Sequence, residues 1–232
     1  MTQLTFPPLM SGLAVTRPVD PFEAACNKAL IGCNAGLIVY NSAADRLSAA
    51  LVLTPDVALS RAVSMMPLCA VGFQNALGAL APPEVAVHLE WNGAIRINGA
   101  RCGNFRIATS DANPGNVPDW LVVGFALPLI LIGEGGSTPD QTGLFEEGCA
   151  DVEPDRLLES WARHSLNWIS RWEDEGNAPL HAEWRGLAHG IGEPVEVNGR
   201  AGTFLGIDED FGMLLRDEET THSLPLTDLL ET

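Results

Sequence analysis

Trp91–Gly103 reads WNGAIRINGARCG. Its two Asn-Gly pairs, Asn92-Gly93 and Asn98-Gly99, each suit the positive φ values of a tight hairpin turn. Ala94–Ile97, between the two pairs, has the length of a short strand. Upstream, Val85–Trp91 alternates Val, Val, Leu and Trp with Ala, His and Glu, as a half-buried strand does. The spacing therefore predicts a meander of strands over 85–91, 94–97 and 100–108.

Helical and extended patterns alternate irregularly around this meander. Phe22, Ala25, Ala29 and Cys33 recur at helical spacing, and Gly32 and Gly36 close that helix. Residues 1–19, with Pro7, Pro8 and Pro18, read as an extended lead-in, and Leu37–Tyr40 and Leu47–Leu53 read as strands. Residues 58–80 are a long apolar helical stretch, with a break or kink expected at Pro67 because proline lacks the backbone donor. Residues 120–132 read as a hydrophobic central strand and 133–143 as a loop; the Gly133–Gly136 run lacks the GxxxxGK(S/T) pattern of a phosphate-binding loop and is followed by Pro139. Leu158, Trp161, Ser165, Trp168 and Trp172 line one face of a helix from Pro154 to Gly176. Beyond about residue 187 only short strands and turns remain, among them Asn198-Gly199. The class is α+β and not a doubly wound sheet.

Charge removes several functions. Thirteen basic residues face thirty acidic ones, for a net charge of −17, and Lys28 is the only lysine. Such a chain gains little counterion-release energy on a phosphate backbone, so nucleic acid is not an expected partner. No apolar run approaches the ~18 residues of a membrane span, and the N-terminus has no signal-like segment, so the expected location is the cytoplasm and not a membrane. The five cysteines lack CxxC spacing and read as reduced thiols. His88, His164, His181, His189 and His222 show no paired-ligand spacing, so no metal site is expected.

Quoted motifs carry a family resemblance. WNGAIRINGARCG is similar in spacing to the active-site hairpin of biotin protein ligases, in which a Lys-Trp-Pro-Asn-Asp run is followed, across a short strand and a turn glycine, by a lysine and a Gly-Gly-Ile-Leu run. Laid on without a gap, Trp91 matches the tryptophan, Gly99 the turn glycine, Arg101 the lysine and Gly103 the first of the two glycines. Glu90, Asn92, Gly93 and Ala94 stand where the family has Lys, Pro, Asn and Asp. The tail Gly192–Leu230 (GEPVEVNGRAGTFLGIDEDFGMLLRDEETTHSLPLTDLL) resembles the small C-terminal barrel of these ligases. Asp20-Pro21-Phe22 resembles the start of the lipoate ligase core, and Leu121–Leu127 (LVVGFAL) looks like the family's V-V-x-G-I-G-I-N strand, with Gly124 at its first glycine and Pro128 replacing the asparagine. Biotin/lipoate protein ligase resemblance thus implies a core over residues 1–185, a mostly antiparallel sheet with packed helices, followed by an SH3-like β-barrel over residues 188–232. With residues 1–19 ahead of the first core helix, the DNA-reading module that some of these ligases carry is not expected.

Family chemistry uses ATP and Mg²⁺ to turn biotin or lipoate into an acyl-adenylate, then passes the acyl group to a lysine of a carrier domain. The resemblance implies a small-molecule acid and a biotin/lipoyl carrier domain as partners, and is compatible with a homodimer. Adenylate formation needs cations, because two anions approach each other. Family members supply the motif lysine and a G-R-G-R-x-G-R loop; here the corresponding stretch, Asn41–Pro55 (NSAADRLSAALVLTP), has Arg46 as its only cation. Arg101 is accordingly the candidate catalytic residue, either contacting an anionic ligand or pairing with an acidic neighbour. Arg46, Trp91, Asn92, Cys102, Gly103 and Gly124 are candidate ligand-binding residues. Cys102 reads either as a nucleophile or as a buried structural thiol. Two functions stay open: an ATP-dependent ligase in which Arg46 and Arg101 replace the usual cations, and a non-catalytic relative that binds an acyl ligand or a carrier domain.

Overall fold

A computed structural model describes residues 4–131 and 140–231. The Gly133–Gly136 run and most of the loop expected over 133–143 lie outside the described residues. In chain order the elements are β1 (Ser11–Ala14), α1 (Pro21–Leu30), β2 (Leu37–Ser42), β3 (Arg46–Leu53), α2 (Leu59–Ala62), α3 (Met65–Gly78), β4 (Val87–Leu89), β5 (Ala94–Ile97), β6 (Ala100–Thr109), β7 (Leu121–Pro128), α4 (Pro154–Glu175), α5 (Asn177–Leu187), β8 (Pro194–Val197), β9 (Arg200–Ile207), β10 (Met213–Arg216), β11 (Thr221–Leu224) and β12 (Leu230–Glu231). The large sheet is ordered β1-β2-β3-β7-β6-β5-β4, with β12 paired on β6. Among the strand pairings of the described residues in this sheet, only β1–β2 and β12–β6 are parallel. A second, four-stranded antiparallel sheet runs β11-β10-β9-β8, which is the small C-terminal β unit expected from the tail motifs.

The large sheet is covered on both faces. One face packs on α3 and α4, where Phe73, Phe105, Phe125 and Trp161 meet in tilted and edge-on contacts. Buried indoles need a partner for their N–H: Trp161 donates to the Cys69 carbonyl at 3.0 Å and Trp168 to Asn75 Oδ1 at 2.7 Å. The other face packs on α1, whose Phe22, Ala25 and Ala29 lie against Val39, Ala50, Val52 and Val122. Asp20 caps α1 by accepting from the Phe22 N–H at 3.0 Å, and Pro21 takes the first helical position, where a missing N–H costs nothing.

Three details differ from expectation. The break in 58–80 falls at Val63-Ser64, and Pro67 sits in the first turn of α3, where its absent donor has no intrahelical acceptor to lose. Helix α5 follows α4 across Gly176 (φ 73); it buries only Leu180 and Trp184, too few apolar positions to mark a helix in the sequence. The tail does not end within its own sheet, because β12 returns to pair Leu230 with Ile107 and Glu231 with Ala108.

Gly103 bends β6. Its φ of 107° lies in the region that glycine alone adopts without strain, and a β-carbon there would strike the Ala126 carbonyl oxygen. The β5–β6 register shifts between Ala94 and Arg96, so this strand changes which residues face α1. Trp91, buried at the end of the β4 run, donates its indole N–H to the Phe211 carbonyl at 2.8 Å and ties the two sheets into one apolar core. Trp91→Phe keeps most of the apolar surface but leaves that carbonyl unpaired, and is expected to lower unfolding stability by about 1–3 kcal/mol in urea denaturation; an unchanged midpoint and slope would show that the bond contributes nothing to docking.

Candidate functional site

Two clefts carry the candidate residues. The first, about 370 Å³, opens on the α1 face of the large sheet and is lined by Arg17, Asp20, Phe22, Asn41, Arg46, Ser48, Asn104, Arg106, Gly124 and Phe125 among others. Gly124 lets Phe22 lie on the sheet: a β-carbon there would come within 2.8 Å of the Phe22 ring and 3.0 Å of the Ala49 carbonyl oxygen. The β2–β3 hairpin forms one wall. Ala43 and Arg46 exchange backbone hydrogen bonds at 2.9 and 3.4 Å across Ala44 and Asp45, so the stretch between these strands is a tight turn and not an extended loop. That turn is pinned, because both Asp45 carboxylate oxygens accept from Arg17 at 2.7 and 2.8 Å and the Asp45 carbonyl accepts from the Leu129 N–H at 2.8 Å.

Arg106 is the most heavily engaged cation of this cleft. Its Nε donates to both oxygens of Glu231 at 2.8 and 2.9 Å, Nη2 to Glu231 at 2.6 Å and to Glu23 at 3.0 Å, and Nη1 to Asp20 at 2.8 Å. Its guanidinium also stacks 4.2 Å above the centre of the Phe22 ring. Arg46, on the rim, makes no side-chain hydrogen bond or ion pair among the described residues.

The second cleft, about 280 Å³, lies between the β4–β6 hairpins and the small sheet, with Trp91, Asn92, Arg96, Arg101, His189 and Phe204 in its walls. Arg101 grips Glu90 in a bidentate pair at 2.9 and 2.7 Å, while Arg96 Nε reaches the same carboxylate at 2.6 Å. Burial by itself would raise the Glu90 carboxyl; the hydrogen bonds from Arg101 and Arg96 outweigh it and hold the group below its ordinary value.

The sequence-predicted residues therefore divide. Arg46 and Gly124 share the first cleft; Trp91, Asn92 and Arg101 share the second. Cys102 and Gly103 line neither. Cys102 is buried with Sγ 3.7 Å from the Pro128 carbonyl, and burial, reinforced by Glu147, pushes its thiol up to about 12, which makes it a structural thiol and not a nucleophile. Gly103 contributes backbone packing against Ala126. Along β6, Arg101 before Gly103 lines the second cleft, while Asn104 and Arg106 after it line the first. Sequence reasoning missed Arg17, Asn41, Ser48, Asn104 and Arg106 as lining residues. Asn104, Arg106 and Ala108 alternate along β6, so the strand period, restarted after Gly103, could have placed Arg106; nothing in the sequence pointed to Glu231.

A mixed sheet with a helix-capped face and a small C-terminal β-sheet is the architecture of biotin protein ligases. Residues 6–186 match the Biotin/lipoate A/B protein ligase family, and the chain belongs to that family. Residues 191–232 match a domain of unknown function, DUF4444. Among solved structures, a biotin protein ligase-like protein of unknown function from Silicibacter sp. TM1040 is 63% identical, with 99% of this chain and 100% of that one covered and a TM-score of 0.95. The Aquifex aeolicus biotin protein ligase in complex with biotin and ATP is 14% identical over 92% of this chain and 95% of that one, with a TM-score of 0.73. The Leishmania major biotin protein ligase in complex with biotinyl-5-AMP is 16% identical over 94% of this chain and 98% of that one, with a TM-score of 0.58. These two share the fold. No curated protein matches the chain in sequence. Among the described residues no helix is long and apolar enough to cross a membrane, and no group of three or more His, Cys, Asp or Glu side chains is placed to hold a metal ion.

Glu90 gives the second cleft a pH signature. Because its folded value lies below its ordinary 4.5, the stability it contributes is complete above pH 4.5 and is lost as pH falls through the lowered value. Glu90→Gln is expected to cost about 2 kcal/mol near neutrality, with Arg101 half exposed and the pair discounted for screening. Urea unfolding of both proteins from pH 7 to pH 3 should show the gap closing at the acid end; a gap constant with pH would contradict the pairing.

Proposed function

We propose that this protein binds a biotin-, lipoyl- or related acyl group in the α1-face cleft, in the cytoplasm, without activating it as an adenylate. On this reading it is a non-catalytic relative of the ligases that recognises an acyl ligand or an acylated carrier domain. The observation that carries the proposal is the Glu90–Arg101 pair: the one cation at the motif-lysine position is held by both oxygens of an internal carboxylate, outside the cleft. A cation so engaged is a poor partner for two approaching anions.

The remaining residues support the same reading. ATP with Mg²⁺ does not fit the donor set. The hairpin at Ala43–Arg46 offers no glycine-rich backbone to cover a nucleotide, Arg17 is held by Asp45, and Arg106 is held by three carboxylates. The cleft itself, at about 370 Å³, is within the usual span of small-molecule sites, roughly 300–1,000 Å³. Phe22, Phe125 and Ala126 give it an apolar lining, and Ser48, Asn41 and Asn104 give it neutral polar groups. That combination suits an acyl chain bearing a polar head.

Acid-dependent exchange of pyrophosphate with ATP measures adenylation directly. Each lost transition-state donor costs about 10²–10³ in rate, so with strong non-additivity the exchange with biotin or lipoate should fall at least about 10⁴ below that of an active ligase. The double variant Arg101→Lys, Ala94→Asp should not restore it, because Arg17 and Arg106 stay engaged and no covering loop is added. Robust exchange or carrier-domain acylation by the unmodified protein would overturn the proposal.

A further inference from the structure

The charges around the α1-face cleft are unusual for a site that would take an acid. Its three cations are Arg17, Arg46 and Arg106. Against them stand Asp45, which holds Arg17, and Asp20, Glu23 and Glu231, which all hold Arg106 within 3.0 Å. A free carboxylate entering this cleft would leave water, meet Asp20 in the wall, find Arg17 and Arg106 already engaged by internal carboxylates, and find only rim-exposed Arg46 without a described partner. A solvent-exposed ion pair of that kind is too weak to offset desolvation of the acid.

An amide-linked acyl group escapes the conflict. It carries no charge; its carbonyl can accept from Arg46, Ser48 or Asn104, and its N–H can donate to Asp20. Resting on the acyl-binding reading above, we propose that the cleft selects the neutral amide form of its acyl group, as displayed on an acylated lysine side chain, over the free acid, and that Glu231 sets this preference. Glu231 reaches Arg106 from the far end of the chain, carried by β12, whose two residues pair with β6 beside the cleft. It is the carboxylate with the most contacts to Arg106, and it neutralises the cation that an incoming acid would otherwise use.

The test is calorimetric titration of the full-length protein and of Glu231→Gln with lipoamide against lipoate, and with biotinamide against biotin. For the unmodified protein the amide of the preferred acyl group should bind about tenfold more tightly than its acid, equivalent to about 1.4 kcal/mol. Glu231→Gln keeps the side-chain size but removes the negative charge and one of the two acceptors that hold Arg106, and should narrow that ratio at least about threefold through tighter binding of the acid. Glu23→Gln, on the exposed face of α1, is the second variant and should move the ratio the same way by less. Tighter binding of the acid by the unmodified protein, or a ratio that neither variant changes, would overturn the preference while leaving acyl binding intact. Binding of neither form would overturn acyl binding itself, and the preference with it.

Discussion

The carboxylate of Glu90, gripped by Arg101 at 2.7 and 2.9 Å and by Arg96 at 2.6 Å, decides how the β4–β6 hairpins are used. A half-buried carboxylate must be paired or protonated, and the two arginines that face it from β5 and β6 keep it ionised. Fixing Arg101 there ties the part of β6 before Gly103 to β5 and to the end of β4. The Trp91–Phe211 hydrogen bond, one residue along the chain from Glu90, continues the same contact into the core. The cation that would face an acyl phosphate in a ligase is therefore engaged by a carboxylate within the hairpins of the large sheet.

Scarcity of cations extends the consequence across the molecule. With thirteen basic against thirty acidic residues, most arginines near the sheet meet carboxylates of the chain itself. Arg17 meets Asp45 and fixes the β2–β3 turn; Arg106 meets Asp20, Glu23 and Glu231 and so joins α1, β6 and the last strand. The same pairs that stabilise the α1 face leave it close to neutral. A neutral cleft with an aromatic lining can hold an acyl chain, whereas joining two anions requires a surplus of positive charge.

Much of the fold was legible in the sequence because its signals are local. Asn92-Gly93 and Asn98-Gly99 mark two turns: the second has positive φ at both residues, 50° and 94°, and in the first Gly93 alone does, at 90°. The tryptophan stripe of α4 and the alternation of β4 follow directly from the helical and strand periods. Helix α5 and strand β12 were not legible: the first buries too few apolar residues, and the second is defined only by a partner more than a hundred residues away. The site was less legible than the fold for the same reason. Gly103 could be recognised as a motif glycine, but its positive φ, and the change of facing that accompanies it, belong to the three-dimensional register of β5 and β6. Arg101 thus lies in the second cleft, and Arg106, which the motif spacing did not single out, lies in the first.

A crystal structure of the protein grown with a saturating acyl amide tests this account most directly. It predicts the acyl chain over Gly124 beside Phe22, the amide within hydrogen-bond reach of Arg46, Ser48 or Asn104, and Glu231 and Glu90 still on their arginines. An acyl group seated against Arg101 in the second cleft, with Glu90 released, would contradict it.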